Sequence, residues 1–510
     1  MTALVKAPAG TLASGIGYRT QDRSRAPAQA SERRVSTLLL LTLAGLWAIP
    51  VAMFVVAPTY EPPAWPVWFA TAATQLLCLA DPRIATLAIP FAAMLAPLAQ
   101  SGRLAGLLPS EVLLGFNCIA LLVLRARHGA RLRLLPGDRL LLGMAAVAAL
   151  SYLLSFAYED LGHAFVNWLA LVAVFAMTRA QIRSLPSVRS YLTALGIASA
   201  YVCAIVISSF VHAMPLAVFM AADEQQTTEL TIEGLFRASY FYTNVLYLLG
   251  PAAAIALSGA LTGRTALVKL AAAVLFATIL TTVALMMAKT AVVAVFACVA
   301  ALLLIQRSLL VANRQFRRAR WYSFGFFLMI CLAGAIATSL DRLSDYGVET
   351  TSLFARFEVF WSALATALQE PARMLVGFGP DASTRLHGAL MEQARSGSDG
   401  TEGAIDSAYL TFLIDYGVVF VGLFTAYGVR TFTRLLRVLR QDPGAQGVLA
   451  TLCAVFAFIF VAALTQTLGT SKVAWLVAQL FAITGICLVP RARAQPGTTP
   501  RQGAAVVLER

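Results

Sequence analysis

A chain of 510 residues that is 59% hydrophobic and only 13% charged has too little polar surface to cover a soluble globule of its size. Its mean hydropathy of +0.76 places it in a membrane, and its repeated long apolar runs suit spanning helices, lacking the alternation of barrel strands. A formal net charge of +14 would point to nucleic acid in a soluble protein; here the positive charge gathers in particular connectors, so no nucleic acid is expected. The expected fold class is all-α, a polytopic helical membrane protein with 12–14 transmembrane helices.

Residues 1–34, rich in Ala, Ser, Gly and Arg, lack the short apolar core and cleavage site of a secretory signal and read as a disordered cytoplasmic tail. The candidate spans are 35–57, 64–80, 84–100, 108–124, 139–157, 161–178, 190–211, 239–260, 266–286, 289–305, 321–340, 405–427, 447–466 and 471–489. The second and third are the weakest, because Pro66, Pro82, Pro90 and Pro97 crowd them, and a short or re-entrant pair would leave 12 crossings. Together residues 35–489 form one transmembrane domain, followed by a cytoplasmic tail from 490 to 510. Cys78, Cys118, Cys203, Cys298, Cys331, Cys453 and Cys487 are scattered through apolar runs without paired spacing, so neither disulfides nor a metal site is expected.

Lys and Arg in short loops stay cytoplasmic. Alternate connectors are basic, from Arg125 to Arg133, from Arg179 to Arg189, Arg264 with Lys269, from Arg307 to Arg320, from Arg430 to Arg440, and Arg491 with Arg493. Arg103 and Lys472 are the exceptions. This parity puts both termini in the cytoplasm. Two outward connectors are then large enough to make a site, 212–238 and 341–404, and the second carries nine acidic residues against five arginines.

Within the long connector, residues 353–368 (LFARFEVFWSALATAL) have an apolar face at helical spacing and read as an interfacial helix. The following VGFGPD reads as a tight turn at Gly377, Gly379 and Pro380; it follows no strand and lacks the later glycine of a dinucleotide fingerprint. Asp406 and Ser407 read as the N-cap of the next span.

Outward-facing cations near membrane level are costly without an anion nearby. Arg237, Lys289, Arg342, Arg356, Arg373 and Arg385 form such a set, and as a group they predict a basic pocket for a phosphate or diphosphate, which a guanidinium fork can grip at two oxygens. Tyr242 and Asn244 begin a span just after Arg237, where they serve either as interface anchors or as contacts to a sugar. The outward acid–base candidates are Asp406, Glu233, Asp381 and His387, of which Asp406 reads equally as a helix cap. Asp415, well inside the same apolar run, is an intramembrane acid and is notable on that ground alone.

The pattern resembles the O-antigen polymerase and O-antigen ligase superfamily of bacterial surface-polysaccharide assembly. The resemblance rests on four stretches in order: FRASYFYTNVLYLLGP, MMAKTAVVAVFACVAALLL, ARFEVFWSALATALQEPARMLVGFGP and DSAYLTFLIDYGVVFVGL. It covers about residues 231–430, with Lys289 where the family usually has Arg. The resemblance implies a metal-independent, cofactor-free glycosyltransferase of the bacterial inner membrane, working at its periplasmic face. Its donor would be an undecaprenyl-diphosphate-linked glycan, and its partners membrane lipids, a chain-length regulator and a flippase. It further implies Arg237, Lys289 and Arg356 as diphosphate or donor contacts and Gly377 and Gly379 as the shape of the loop; Arg373, Arg385, Tyr242, Asn244 and Tyr409 complete the expected substrate-binding set. Arg356 and Asp406 are the expected catalytic pair. Ligases of the family usually carry a His before the return span, where this chain has Ile405 and Asp406, so the expectation is a polymerase, with a ligase or a flippase-type transporter as alternatives.

Overall fold

The computed structural model describes residues 19–57, 63–95, 98, 109–128, 137–154, 161–182, 184–212, 231–232, 235–236, 242–263, 265–285, helical residues between 295 and 305, 361, 364–365, 368–379, 382–383, 408–441, 446–462 and 471–488. The order is α1 (Arg19–Val56), α2 (Trp65–Ala80), α3 (Arg83–Met94), α4 (Pro109–His128), α5 (Asp138–Leu154), α6 (Leu161–Gln181), α7 (Leu185–Val211), a two-residue antiparallel pair β1 (Thr231–Ile232) and β2 (Leu235–Phe236), α8 (Tyr242–Thr262), α9 (Ala266–Leu285), α10 (Pro371–Val376), α11 (Ala408–Gln441), α12 (Gln446–Ala462) and α13 (Ser471–Cys487). Apart from that small β pair these are all helices, as expected, because the apolar runs lack turn signals and a helix satisfies every backbone group without water.

Among the described residues, four helices have the length and apolarity to cross a membrane: Thr37–Val56 in α1, Leu185–Ser209 in α7, Ala266–Leu285, which is α9, and Ala408–Leu439 in α11. Their exteriors fit lipid: α9 leaves Leu267, Val268, Leu270 and Val274 exposed, and Leu38, Leu41 and Val56 are exposed on α1. The first helix extends back to Arg19, into the stretch expected to be tail. The segments expected at 321–340 and most of 353–368 lie outside the described residues, although Trp361, Leu364, Ala365 and Leu368 are helical.

The third apolar run, expected at 84–100 or as part of a short or re-entrant pair, gives a short helix. Its helix α3 ends at Met94 and every residue from Ile84 to Met94 is buried, so it is enclosed by protein, against α1, α2, α4, α6, α7 and α13. At 1.5 Å per residue it is about 18 Å long, too short for a bilayer core of about 30 Å. Buried side-chain hydrogen bonds tie it in: Thr86 Oγ1 donates to Gln181 Oε1 at 2.5 Å, Gln479 Nε2 donates to the Thr86 carbonyl at 3.1 Å, and Tyr191 Oη donates to Gln479 Oε1 at 2.9 Å. Four helices are joined there by polar groups that satisfy one another.

The span expected at 405–427 needs correction. Gly417 has φ 80 and ψ 175, which interrupts α11, and the aromatic contacts show how sharply. The rings of Tyr409 and Phe424 are 5.7 Å apart and those of Phe412 and Phe424 5.3 Å. A straight helix would place Tyr409 and Phe424 about 22 Å apart along its axis, beyond the reach of two side chains. The segment 408–416 therefore folds back against 418–441, and at about 14 Å it cannot cross a bilayer core by itself. The second half runs on to Gln441 and carries Arg430, Arg434, Arg437 and Arg440 at helical spacing. Phe456, Phe460 and Phe481 from α12 and α13 complete the aromatic cluster around Phe424 and Tyr427.

Candidate functional site

The break in α11 is where the long polar stretch meets the helical bundle. Pro371 starts the short helix α10 at a position that needs no intrahelical N–H, and Gly377 ends it with φ 93, followed by Gly379 with φ 106. Both are left-handed backbone angles that favour glycine, so two residues of the predicted turn have the backbone it calls for; Pro380 lies outside the described residues.

That turn supplies what the broken helix lacks. An unbroken α11 would use the carbonyls of Ile414 and Asp415 to accept from residues 418 and 419. Instead Phe378 N–H donates to the Ile414 carbonyl at 2.8 Å and Gly379 N–H to the Asp415 carbonyl at 3.1 Å. Ser151 on α5 donates its hydroxyl to the same Asp415 carbonyl at 2.5 Å. Further along, Ser383 N–H donates to Asp415 Oδ1 at 2.8 Å. Asp415 is 5% exposed and Ser383 5%. One buried residue thus holds two points of the polar stretch and one point of α5.

The approach is close enough to demand glycine on both sides. A β-carbon at Gly377 would overlap the Asp415 carbonyl, and one at Gly417 would lie 2.6 Å from the Gly377 nitrogen and overlap the Leu375 carbonyl. The two backbones pass each other with no room for a side chain.

Of the residues singled out in the sequence, the structure brings Gly377 and Gly379 together with Asp415. Arg373 stands beside this turn: its Nε pairs with Glu370 at 3.2 Å, its guanidinium lies 6.0 Å from the Phe378 ring centre, and its carbonyl accepts from Gly377 N–H. Tyr409 is half-buried on the folded-back segment, edge-on to Phe424. Tyr242 is the first residue of α8, with Asn244 in its first turn. Arg237, Lys289, Arg356, Arg385 and Asp406 lie outside the described residues, as do Glu233, Asp381 and His387. Ser151, Ser383 and Gly417 were not anticipated. The nearest signal for Gly417 was Asp415 two residues before it, an intramembrane acid and so a place to look.

A second polar site lies at the other end of α5. Arg179, read in the sequence as one of the connector cations, is in the last turn of α6 and pairs with Asp138, the first residue of α5, at 2.6 Å. Both side chains are buried, 6% and 7% exposed. The guanidinium lies 5.3 Å from the Phe175 ring centre and fills the space beside Gly485 of α13. Where α2 gives way to α3, Arg83, the first residue of α3, donates to both carboxylate oxygens of Asp81 in the connector, at 2.7–3.0 Å. Partial burial works against the charged form of Asp81, but these hydrogen bonds and the Arg83 charge outweigh it and hold the carboxyl below its usual range.

Compared with protein-family models and with curated proteins, the chain matches none.

Proposed function

We propose that this protein is an inner-membrane glycosyltransferase that joins undecaprenyl-diphosphate-linked oligosaccharide units into a surface polysaccharide at the periplasmic face. The observation that carries this reading is the meeting of two sequence motifs about forty residues apart: the glycine turn of the long polar stretch and the DYG stretch of the return helix interlock at Gly377, Asp415 and Gly417. Both belong to the ordered set of four stretches that resembles the O-antigen polymerase and ligase superfamily. A built junction between them gives the polar stretch a fixed seat on the bundle, as a transferase loop needs for positioning.

The rest follows from the distribution of charge. With the basic connectors cytoplasmic, the junction lies toward the periplasm, and so do Arg237, Lys289, Arg356, Arg373 and Arg385. Cations there neutralise the diphosphate as it leaves the donor sugar, which lowers the barrier without a metal. In this reading Arg356 contacts the diphosphate and Asp406 removes the proton of the acceptor hydroxyl. The acceptor is another lipid-linked chain; transfer to lipid A core or to a protein is the ligase variant of the same chemistry.

The fold-back at Gly417 favours one other reading. Interrupted helices that present backbone groups at membrane depth are a device of secondary transporters, so a flippase for the lipid-linked unit is the second function to test. A deletion strain separates the two. Single lipid-linked repeat units accumulate on the periplasmic face if the protein is the polymerase, and on the cytoplasmic face if it is the flippase. Normal polymer in the deletion strain contradicts both.

A further inference from the structure

We propose that Asp415 is a positioning residue, whose buried side chain fixes the backbone of Ser383 and so seats the polar stretch on the bundle one turn beyond the glycine turn. Its link to catalysis rests on the transferase reading above; the clamp itself rests on geometry alone.

A carboxylate placed in an apolar run is costly and is retained where it has work to do. Asp415 is 5% exposed on the fold-back helix, and its two kinds of oxygen face different tasks. The carbonyl is occupied by Gly379 N–H and the Ser151 hydroxyl, an arrangement that any residue could provide. The side chain does something only an acid or an amide of this length can do: it receives Ser383 N–H at 2.8 Å.

The consequence is directional. The polar stretch enters the junction through Phe378 and Gly379, and their backbone bonds to Ile414 and Asp415 set its depth. Without a further tether, residues beyond Gly379 could leave at many angles. The Ser383 bond supplies that tether one turn later, where Ala382 N–H also closes on the Gly379 carbonyl at 3.2 Å. Arg385, two residues further along the chain, is the next cation of the set expected at the diphosphate. Asp415 would then act through the backbone, shaping the approach of a donor it does not touch.

The test uses the full-length protein in membranes, with Ser383→Cys as a reporter of the clamp and a membrane-impermeant maleimide as the probe. The reporter is made with Asp415 intact, with Asp415→Asn, which keeps an acceptor oxygen in place, and with Asp415→Ala. We expect slow labelling in the first two and labelling about tenfold faster in the third, the loss appropriate to a buried N–H whose acceptor is removed. With lipid-linked repeat units as substrate and Ser383 restored, Asp415→Ala raises the apparent KM severalfold and Asp415→Asn stays near the parent. If the alanine variant does not insert, Asp415→Thr replaces it, because its hydroxyl stands where the carboxyl carbon was and falls short of Ser383.

Equal labelling in all three backgrounds overturns the clamp, and so does equal exposure with Asn and Ala. Faster labelling with unchanged KM overturns the positioning role. Normal polymer in a strain lacking the protein overturns the transferase reading instead, and the labelling result stands apart from it.

Discussion

Gly377 and Gly417 interlock: a β-carbon built on Gly417 lies 2.6 Å from the Gly377 nitrogen, and one built on Gly377 overlaps the backbone of Asp415. Each glycine also has a left-handed φ, 93 and 80. Alanine at either position is therefore excluded twice, by conformation and by space. Gly377→Ala and Gly417→Ala are each expected to destabilise the detergent-solubilised protein by more than about 1 kcal/mol, read as a fall in thermal midpoint. The double variant loses less than the sum, because the first substitution already separates the two backbones.

The buried pair of Asp138 and Arg179 supports a second prediction. Removing one partner leaves the other charged and buried, which costs about 3–5 kcal/mol, whereas replacing both with apolar residues of similar volume is close to neutral. Arg179→Met and Asp138→Leu are each expected to reduce the folded yield strongly, and the double variant to recover most of it. Fluorescence-detected size-exclusion of solubilised membranes checks this. Gly485→Ala is expected to act like the Arg179 variant, since its β-carbon would enter the guanidinium.

Aromatic rings seated on glycine make a third. A β-carbon at Gly250 of α8 would overlap the ring of Phe458 on α12, and one at Gly428 of α11 the ring of Phe460. Gly250→Ala is expected to cost about 1–3 kcal/mol through overpacking. Gly250→Ala combined with Phe458→Leu is expected to restore part of that loss. The corresponding melting temperatures measure both.

The Asp81–Arg83 pair gives a pH dependence whose sign is determined. Because the folded carboxyl is held below its usual range, it contributes stability above the unfolded value of about 3.9 and loses it as pH falls through the lower folded value. Arg83 is 38% exposed, so screening keeps the contribution below about 1 kcal/mol. Between pH 5 and pH 3 the parent is expected to lose slightly more thermal stability than Asp81→Asn, measured at low ionic strength; equal losses would assign the pair no role in stability.

Much of the fold was legible because burial in a helical bundle writes itself as uninterrupted apolar runs. The helices α2, α5, α9, α12 and α13 start within a residue of the runs expected at 64, 139, 266, 447 and 471. What the runs concealed is backbone that leaves the helix without leaving the apolar interior. The apolar run continues on both sides of Gly417 in TFLIDYGVVFVG, so hydropathy does not show the break there. Arg179 was misread for a related reason: counted as a connector cation, it lies instead inside α6, and its partner Asp138 is a lone acid just after a basic connector. The turn at Gly377 and Gly379 was legible because its φ angles call for glycine. Its partner was not, because two backbone hydrogen bonds to a distant helix leave no pattern in side chains.

The junction exists only because α11 is folded at Gly417, so that the glycine turn can bond to Ile414 and Asp415. Tyr409→Cys paired with Phe424→Cys tests this directly with a bis-maleimide of about 8 Å span. Their rings are 5.7 Å apart in the folded-back helix, whereas a straight helix separates the two positions by about 22 Å. A folded-back helix gives efficient cross-linking within one polypeptide, read as protection of both thiols from a mass tag. Cross-linking only by reagents longer than about 20 Å would show a continuous helix and would remove the seat on which the proposed site is built.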